Sequence, residues 1–352
     1  LFGGISWQDS LVIAITVLII TCPCALGLAV PVVQVLASSK LMKNGVLVKS
    51  GDALERLASI DGVFFDKTGT LTMGKPQLDN KPAQHHLQMA ASLAVHSAHP
   101  LPSALQEAYS GPLLHLENIQ EVAGRGMQTT HQGHQIKLGS RIWCGDQNAD
   151  PTEKPEVWLA IDGENPVVFQ FTDHVREDAV EIIQKLKQSD LDPVILSGDR
   201  QTVARNIADQ LHIDHVHAEK TPPEKFQILE DEKTKGHSLL MVGDGLNDAP
   251  ALAAANISMA PGTAIDMTQN AADIVFMGKK LAPVYNTYET AKLSQKLVIQ
   301  NFALAVIYNI IAIPLAFAGF VTPMVAALAM SGSSLLVIAN SFRLKLKKWD
   351  KE

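Results

Sequence analysis

Two kinds of hydrophobic pattern run along this chain. From Leu11 to Ala37 the residues are almost uncharged and rich in Ile, Val, Leu and Ala. At about 1.5 Å of rise per residue, such a stretch crosses the roughly 30 Å hydrocarbon layer of a bilayer as a helix. Phe302 to Phe320 and Thr322 to Ser341 repeat the pattern, joined around Gly319 to Pro323 by a turn long enough only for a hairpin. Between these ends, apolar residues come in short blocks, Val63 to Phe65, Pro193 to Leu196 and Ser238 to Val242, each running into a polar loop that contains glycine. Blocks of that length read as buried parallel strands, and ligands of doubly wound sheets bind at such strand ends. From Thr72 to about Phe171 the pattern changes to turns and short alternating runs, as expected of a domain inserted into the parallel fold.

Charge orients the spans. Lys40, Lys43 and Lys49 follow the first stretch, Lys292 and Lys296 precede the second, and Arg343, Lys345, Lys347 and Lys348 follow the third. Positive residues collect on the cytoplasmic side, so the middle of the chain is expected to be cytoplasmic, where ATP is available, with membrane lipid around the spans. A cleaved signal sequence is the alternative for the first stretch. The flanks argue against it, since three lysines follow the stretch and no basic residue precedes it. Overall, 352 residues suffice for two or three domains. The net charge of −7, with no basic run beyond the short tail at Arg343 to Lys348, gives a nucleic-acid partner no electrostatic footprint. Three cysteines cannot make a disulfide framework, and the spacing of Cys22 and Cys24 is expected to disfavour a bond between them, so a reduced, cytosol-facing body is the simplest expectation. An odd number of spans and a first residue other than Met suggest a chain that starts mid-protein.

The three strand-end loops are Asp66-Lys67-Thr68-Gly69-Thr70-Leu71-Thr72, Ser197-Gly198-Asp199, and Gly243-Asp244-Gly245-Leu246-Asn247-Asp248. Phosphoryl transfer through a carboxylate needs a nucleophile, a clamp for the equatorial oxygens, and a metal held by further carboxylates. Asp66 can supply the first, Ser197 with Lys225 the second, and Asp244 with Asp248 the third; Lys67, Thr68, Gly198 and Asp199 complete the candidate catalytic set. Each loop alone has an ordinary explanation as turn chemistry, and it is the three together, in order, that point to a site.

The heptad DKTGTLT at Asp66 to Thr72 resembles the signature of the P-type ATPases, and GDGLNDAPAL from Gly243 resembles their metal-binding hinge loop. The resemblance implies a haloacid-dehalogenase-like α/β fold, a doubly wound parallel sheet with an inserted α+β nucleotide-binding domain, flanked by transmembrane helices. It further implies ATP and Mg²⁺ as cofactors, Mg²⁺ held by Asp66, Asp244 and the Thr68 carbonyl, and Lys225 stabilising the transferring phosphoryl group. In hydrolases of the superfamily a second Asp usually stands two residues after the nucleophile, where this chain has Thr68. Without that proton shuttle, hydrolysis of an aspartyl phosphate slows, which suits a pump that must first change shape. Ser97-Ala98-His99-Pro100-Leu101 resembles the His-Pro motif of heavy-metal pumps, whose histidine orients the adenine end of ATP, and Gly124-Arg125-Gly126 resembles their paired glycines. Ala98 stands where an acidic residue is usual, and Leu138-Gly139-Ser140 where Gly-Asn is commoner. The other histidines of the insertion, His85, His86, His96, His115, His131 and His134, follow no ligand spacing and read as surface residues.

Thr21-Cys22-Pro23-Cys24 lies inside the first span, where proline unwinds a helix and two soft sulfurs can face a pathway. Tyr308 and Asn309 in the second span, and Met330 with Ser333 and Ser334 in the third, add neutral donors without a charge, resembling the copper class; the transported ion expected is Cu(I). Zinc or cadmium is the alternative within the family, and a membrane-tethered phosphatase or a copper-binding regulator the alternatives outside it. The expected divisions are 1–50 (first span and cytoplasmic extension), 51–73 and 172–285 (phosphorylation domain), 74–171 (nucleotide domain) and 286–352 (two spans and a basic tail). The resemblance reaches only the latter half of a complete pump, looks most like the subgroup that supplies copper for oxidase assembly, and leaves the actuator, the amino-terminal membrane half and a copper chaperone as expected partners.

Overall fold

The computed structural model describes residues 6–97, 99–122, 124–145, 154–244, 248–262, 264, 270–346 and 349. The apolar stretch expected as one helix is two, α1 (Trp7–Ile20) and α2 (Cys24–Lys43). Pro23 has no N–H to continue the ladder and its ring crowds the preceding turn, so α1 closes on Thr21 and α2 restarts with Gly27 N–H on the Pro23 carbonyl at 2.8 Å. Along α2 the buried residues are Ala25, Ala29, Val33, Ala37 and Leu41, a single stripe at intervals of four. Small residues on that stripe let neighbouring helices approach closely. The remaining apolar side chains, such as Leu18, Leu28 and Val35, point outward to the hydrocarbon.

The first α/β body opens with β1 (Val46–Val48), α3 (Ala53–Ala58) and β2 (Gly62–Phe65). The chain then leaves for the insertion, comprising β3 (Gln77–Leu78), α4 (Gln84–Ala94), α5 (Pro100–Ala108), β4 (Gln120–Val122), β5 (Gly126–His131), β6 (His134–Gly139), β7 (Glu156–Ile161) and β8 (Val167–Thr172). It returns through α6 (Ala179–Gln188), β9 (Asp192–Leu196), α7 (Gln201–Leu211), β10 (His215–His217), α8 (Pro222–Thr234), β11 (Leu239–Val242), α9 (Ala249–Ala254), β12 (Ile257–Pro261) and β13 (Ile274–Phe276). Two long helices, α10 (Ala282–Phe317) and α11 (Pro323–Ser341), and the short α12 (Arg343–Leu346) follow.

In the first body the strands form a sheet in the order β1-β13-β12-β11-β2-β9-β10, parallel except for the antiparallel edge pair β1–β13. Its strands are buried on both faces. Val63, Phe65, Leu240 and Val242 pack toward α3, α6, α7 and α10, while the alternate residues Phe64, Leu239 and Met241 pack toward α8 and α9. The insertion is an antiparallel sheet in the order β3-β8-β7-β6-β5-β4, with α4 and α5 closing a core around Leu93, Leu105, Ile136, Leu138, Phe169 and Phe171. Its entry and exit strands pair directly, Leu78 opposite Phe171, and the Thr72–Val175 bridge sits just outside them. A doubly wound sheet with an inserted α+β domain between membrane helices is the architecture that the sequence led one to expect.

The second span begins 20 residues earlier than its apolar stretch. From Ala282 to Asn301 the helix is amphipathic, with Val284, Thr287, Tyr288, Ala291, Ser294, Leu297 and Asn301 buried at helical spacing against the α/β body and α2. At 1.5 Å per residue its 36 residues make one continuous rod of about 54 Å, from the α/β body into the membrane. Where it enters the membrane, Asn301 is fully buried; its amide donates to the Ser341 hydroxyl at 3.0 Å and the Ala29 carbonyl at 3.3 Å, tying three spans together.

The start of α10 is capped from elsewhere in the chain. The carboxylate of Asp178, at the entrance to α6, accepts the N–H groups of Leu281 and Ala282 at 2.7–2.9 Å. A carboxylate on the free N–H groups of a helix N-terminus satisfies orphan donors and suits the macrodipole. We expect Asp178→Ala to cost about 1 kcal/mol at this junction, read as a roughly fivefold loss of hydrogen-exchange protection at Leu281 and Ala282, with the sheet core unchanged.

Candidate active site

The parallel register assembles the site. Phe65 pairs with Val242 on one side and with Ile195 on the other, so Asp66, Gly243 and the Ser197 loop emerge side by side at one edge of the sheet. Asp66 leaves β2 in an extended conformation, its N–H on the Val242 carbonyl at 2.8 Å, and is only 6% exposed. The next residues turn tightly. Gly69 has φ +71°, and a Cβ there would stand 1.5 Å from Asp244 Oδ2, so the glycine makes room for that carboxylate as well as for the turn.

Lys225, 4% exposed on α8, donates from Nζ to Asp66 Oδ1 at 2.5 Å and to Asp248 Oδ1 at 2.7 Å. The helix that carries it starts in a capping box, with Thr221 N–H on Glu224 Oε2 at 2.8 Å. Carboxylate oxygens of Asp66, Asp244 and Asp248 lie within 4.8 Å of one another. Burial, and then the neighbouring charge of Asp248, pushes the Asp66 and Asp244 carboxyls up to about 7. Burial pulls the Lys225 ammonium down, but Asp66 and Asp248 outweigh it and leave its pKa raised. When all are ionised, three carboxylates against one ammonium leave two negative charges, and hard oxygen donors in that number suit a small divalent ion such as Mg²⁺.

Beside this cluster, Ser197 Oγ donates to Asp199 Oδ2 at 2.9 Å, and Lys67 Nζ lies 3.0 Å from the same oxygen. Ser197 is thus held by Asp199, and it lines the same cleft as Lys225, the other residue expected to clamp the equatorial oxygens. Thr68, Gly198, Asp199 and Lys225 share a cleft of about 710 Å³ with Asp66, Lys67, Ser197, Asp244 and Asp248. His99 lies on the wall of that cleft supplied by the insertion. It caps α5, its Nδ1 accepting the Leu101 N–H at 3.3 Å, which assigns the ring hydrogen to Nε2 and leaves that group as a donor. Pro100 is the first residue of α5, where a missing N–H costs nothing. Gly124 and Gly126 lie outside the lining of the cleft. Gly126 has a local reason to be glycine, since a Cβ there would meet the Leu138 carbonyl at 2.2 Å. Ala98, Gly245, Leu246 and Asn247 lie outside the described residues.

The sequence motifs passed over Arg176. It is 3% exposed and donates to the carbonyls of Gly69 at 2.6 Å and Thr70 at 2.7 Å, holding the loop after Asp66 from behind. Asp173, on the wall of the cleft, accepts from the Thr72 hydroxyl. Thr172-Asp173-His174-Val175-Arg176 reads along the chain as the entrance to a helix, and nothing in its spacing shows that the arginine reaches back about 100 residues.

In the membrane the break at Pro23 corrects one expectation. Cys22 and Cys24, taken from their spacing as unable to bond readily, have Cα atoms 5.5 Å apart and their sulfurs joined in a disulfide, because the turn between α1 and α2 faces both side chains the same way. Ile20 packs beside Tyr308, Ala316 and Ala326, and Ala25 packs against Ala305 and Val337. The cysteines therefore lie at the level of Tyr308 and Asn309 on α10 and of Met330 to Ser334 on α11. Tyr308 Oη and Asn309 Oδ1 are buried without a hydrogen-bond partner, and Ser333 and Ser334 donate to the Met330 carbonyl at 2.8 and 3.3 Å. Unpartnered oxygens beside two sulfurs inside a bilayer are costly unless something binds them.

A family model described as haloacid dehalogenase-like hydrolase matches residues 60–256, more than half of the chain. The chain belongs to the haloacid dehalogenase-like hydrolases. Among its relatives are metal pumps. It is 45% identical over 340 residues to the nitrogen fixation protein FixI of Rhizobium meliloti (strain 1021), covering 96% of this chain and 45% of that protein. It is 35% identical over 365 residues to the probable copper-transporting ATPase PacS of a Synechocystis strain, covering 94% and 49%. A crystal structure of a zinc-transporting PIB-type ATPase in its E2.Pi state superposes with a TM-score of 0.80 at 29% identity, over 97% of this chain and 59% of that one. The chain thus spans about half the length of the curated relatives it matches. Among the described residues, three helical stretches are long and apolar enough to cross a bilayer, as in a membrane protein.

The haloacid-dehalogenase-like site depends on Lys225 for its internal balance. Lys225→Met keeps the bulk but leaves two buried carboxylates facing each other, and we expect it to lower the unfolding free energy by about 3–5 kcal/mol, read from the denaturant midpoint. Millimolar Mg²⁺ should recover part of the loss, because an ion that binds only the folded state stabilises it by mass action.

Proposed function

We propose that the chain is the catalytic part of an ATP-driven Cu(I) export pump in a bacterial inner membrane, working through an aspartyl phosphate at Asp66. The observation that carries this reading is the buried cluster of Asp66, Lys225, Asp244 and Asp248 at the head of a 710 Å³ cleft with His99 on its far wall. Lys225 holds Asp66 Oδ1, and the other carboxylate oxygen is the nucleophile. It bonds to the terminal phosphorus of ATP as the bridging P–O bond breaks and ADP leaves. Lys225 then faces the phosphoryl oxygens, with Ser197, Gly198 and Lys67 lining the same wall. Mg²⁺ held by Asp66, Asp244, Asp248 and the Thr68 carbonyl would neutralise charge on the phosphates. His99, on the cleft wall with Nε2–H left as a donor, is the proposed contact to the base, and Pro100 opens its helix. Gly124 and Gly126 are kept as candidate nucleotide contacts on their resemblance alone. Thr68 provides no proton shuttle, so the acyl phosphate persists.

For the cargo, reduced Cys22 and Cys24 with Tyr308, Asn309, Met330 and Ser334 offer sulfur and neutral oxygen, the softer set that suits monovalent copper. A zinc-transporting neighbour keeps Zn²⁺ as the second reading. The curated relatives are about twice as long, and steady transport is proposed to need the further segments they carry, the actuator among them, with a copper chaperone as a possible donor.

The test is incubation with γ-labelled ATP, with Cu(I), Zn²⁺ or neither, then acid quench and hydroxylamine. The expected result is a hydroxylamine-labile label that is absent in Asp66→Asn and stimulated by Cu(I); in Cys22→Ser and Cys24→Ser the stimulation should vanish while unstimulated labelling stays. Stimulation by Zn²⁺ alone would move the cargo to zinc. A label that survives in Asp66→Asn, or fast turnover of a generic phosphate ester, would overturn the pump reading.

A further inference from the structure

A second cluster of ligating groups lies in the insertion, away from the cleft. His85 and His86 sit in the first turn of α4, and Glu164 lies in the turn between β7 and β8, its N–H on the Ile161 carbonyl at 2.9 Å. The two elements are about 80 residues apart in the chain, and the sheet packing beneath α4 brings them together. His86 Nε2 stands 2.9 Å from Glu164 Oε2, and the His85 and His86 rings lie with centroids 3.8 Å apart, tilted by 45°. One ligand atom from each of the three residues falls within 4.8 Å of the others. His134, at the start of β6, turns Nδ1 to the carbonyl of Asp162 at 3.1 Å in the same turn, and the hydrogen bond with His86 holds Glu164 below the ordinary carboxylate range.

A divalent ion takes the lone pair of each neutral ring and one carboxylate oxygen at once, and the exposed position leaves a further coordination place to water. Two nitrogens and one oxygen form a donor set of intermediate softness. It favours Zn²⁺ or Cu²⁺ over Mg²⁺, which takes oxygen ligands, and over Cu(I), which takes sulfur.

We propose that His85, His86 and Glu164 form a binding site for a divalent transition-metal ion on the surface of the inserted domain, separate from the phosphorylation cleft and from the membrane cysteines. Occupancy ties the start of α4 to the β7–β8 turn. Because none of these residues belongs to the pump machinery, the proposal stands independently of the transport reading.

The test uses the full chain in lipid nanodiscs, with Cys22→Ser and Cys24→Ser in the background so that thiols do not compete, titrated with Zn²⁺ calorimetrically and with Co²⁺ by its visible d–d bands in the presence of millimolar Mg²⁺. One Zn²⁺ should bind, with Co²⁺ bands of a nitrogen-oxygen site. Glu164→Gln, which preserves shape, should weaken binding at least about tenfold, and His85→Ala/His86→Ala should abolish it. Acidification through the imidazole range should release the ion as protons compete. Zn²⁺ binding in Glu164→Gln within twofold of the background chain, binding lost instead in Asp66→Asn, or no binding at all would overturn the proposal.

Discussion

Two buried carboxylates held by one lysine, with a third, half-buried carboxylate beside them, are the constraint on which the α/β body depends. Removing such groups from water costs several kcal/mol per ion, and one ammonium cannot satisfy them all. The fold is arranged around that imbalance. The register of β11, β2 and β9 delivers Asp66 and the Gly243 loop side by side, Gly69 gives up its side chain so that Asp244 fits, and Lys225 is brought in from a separate helix. With all three carboxylates ionised and one ammonium opposing them, a net negative charge is left over, which suits a divalent ion.

The same loop is held mechanically from behind. Arg176 grips the carbonyls of Gly69 and Thr70, and two residues further on Asp178 caps the start of α10. The loop after Asp66 and the 36-residue rod that carries Tyr308 and Asn309 are therefore anchored in one short stretch of chain. In the membrane, Asn301 joins that rod to α2 and α11 through hydrogen bonds that have no water to replace them. These polar contacts join the loop after Asp66, the start of α10 and the three spans in one continuous part of the structure.

Much of this was legible along the chain because it depends on local order. Strands flanked by polar loops announce the parallel sheet, and the apolar stretches announce the spans. What failed to show itself did so for identifiable reasons. The amphipathic stretch from Ala282 to Asn301 carries too many polar residues to read as part of a span, yet it continues the same helix because its buried face packs on α2, α3 and α6. Arg176 looks like a residue near a helix start until the Gly69 carbonyl is placed above it. The contact of Cys22 with Cys24 needs the backbone turn at Pro23, which residue spacing alone does not specify.

By itself, the sequence determined the class of fold, the order of spans and insertion, the side of the membrane on which the body lies, and the carboxylate at the first strand's end, because these follow from hydropathy period, charge placement and motif. Only the tertiary structure decided which charges neutralise one another, which glycine stands under Asp244, how α10 is anchored, and that His85, His86 and Glu164 meet. Those are contacts between residues tens to more than two hundred positions apart, and chain order does not encode them until the sheets bring their loops to a common edge.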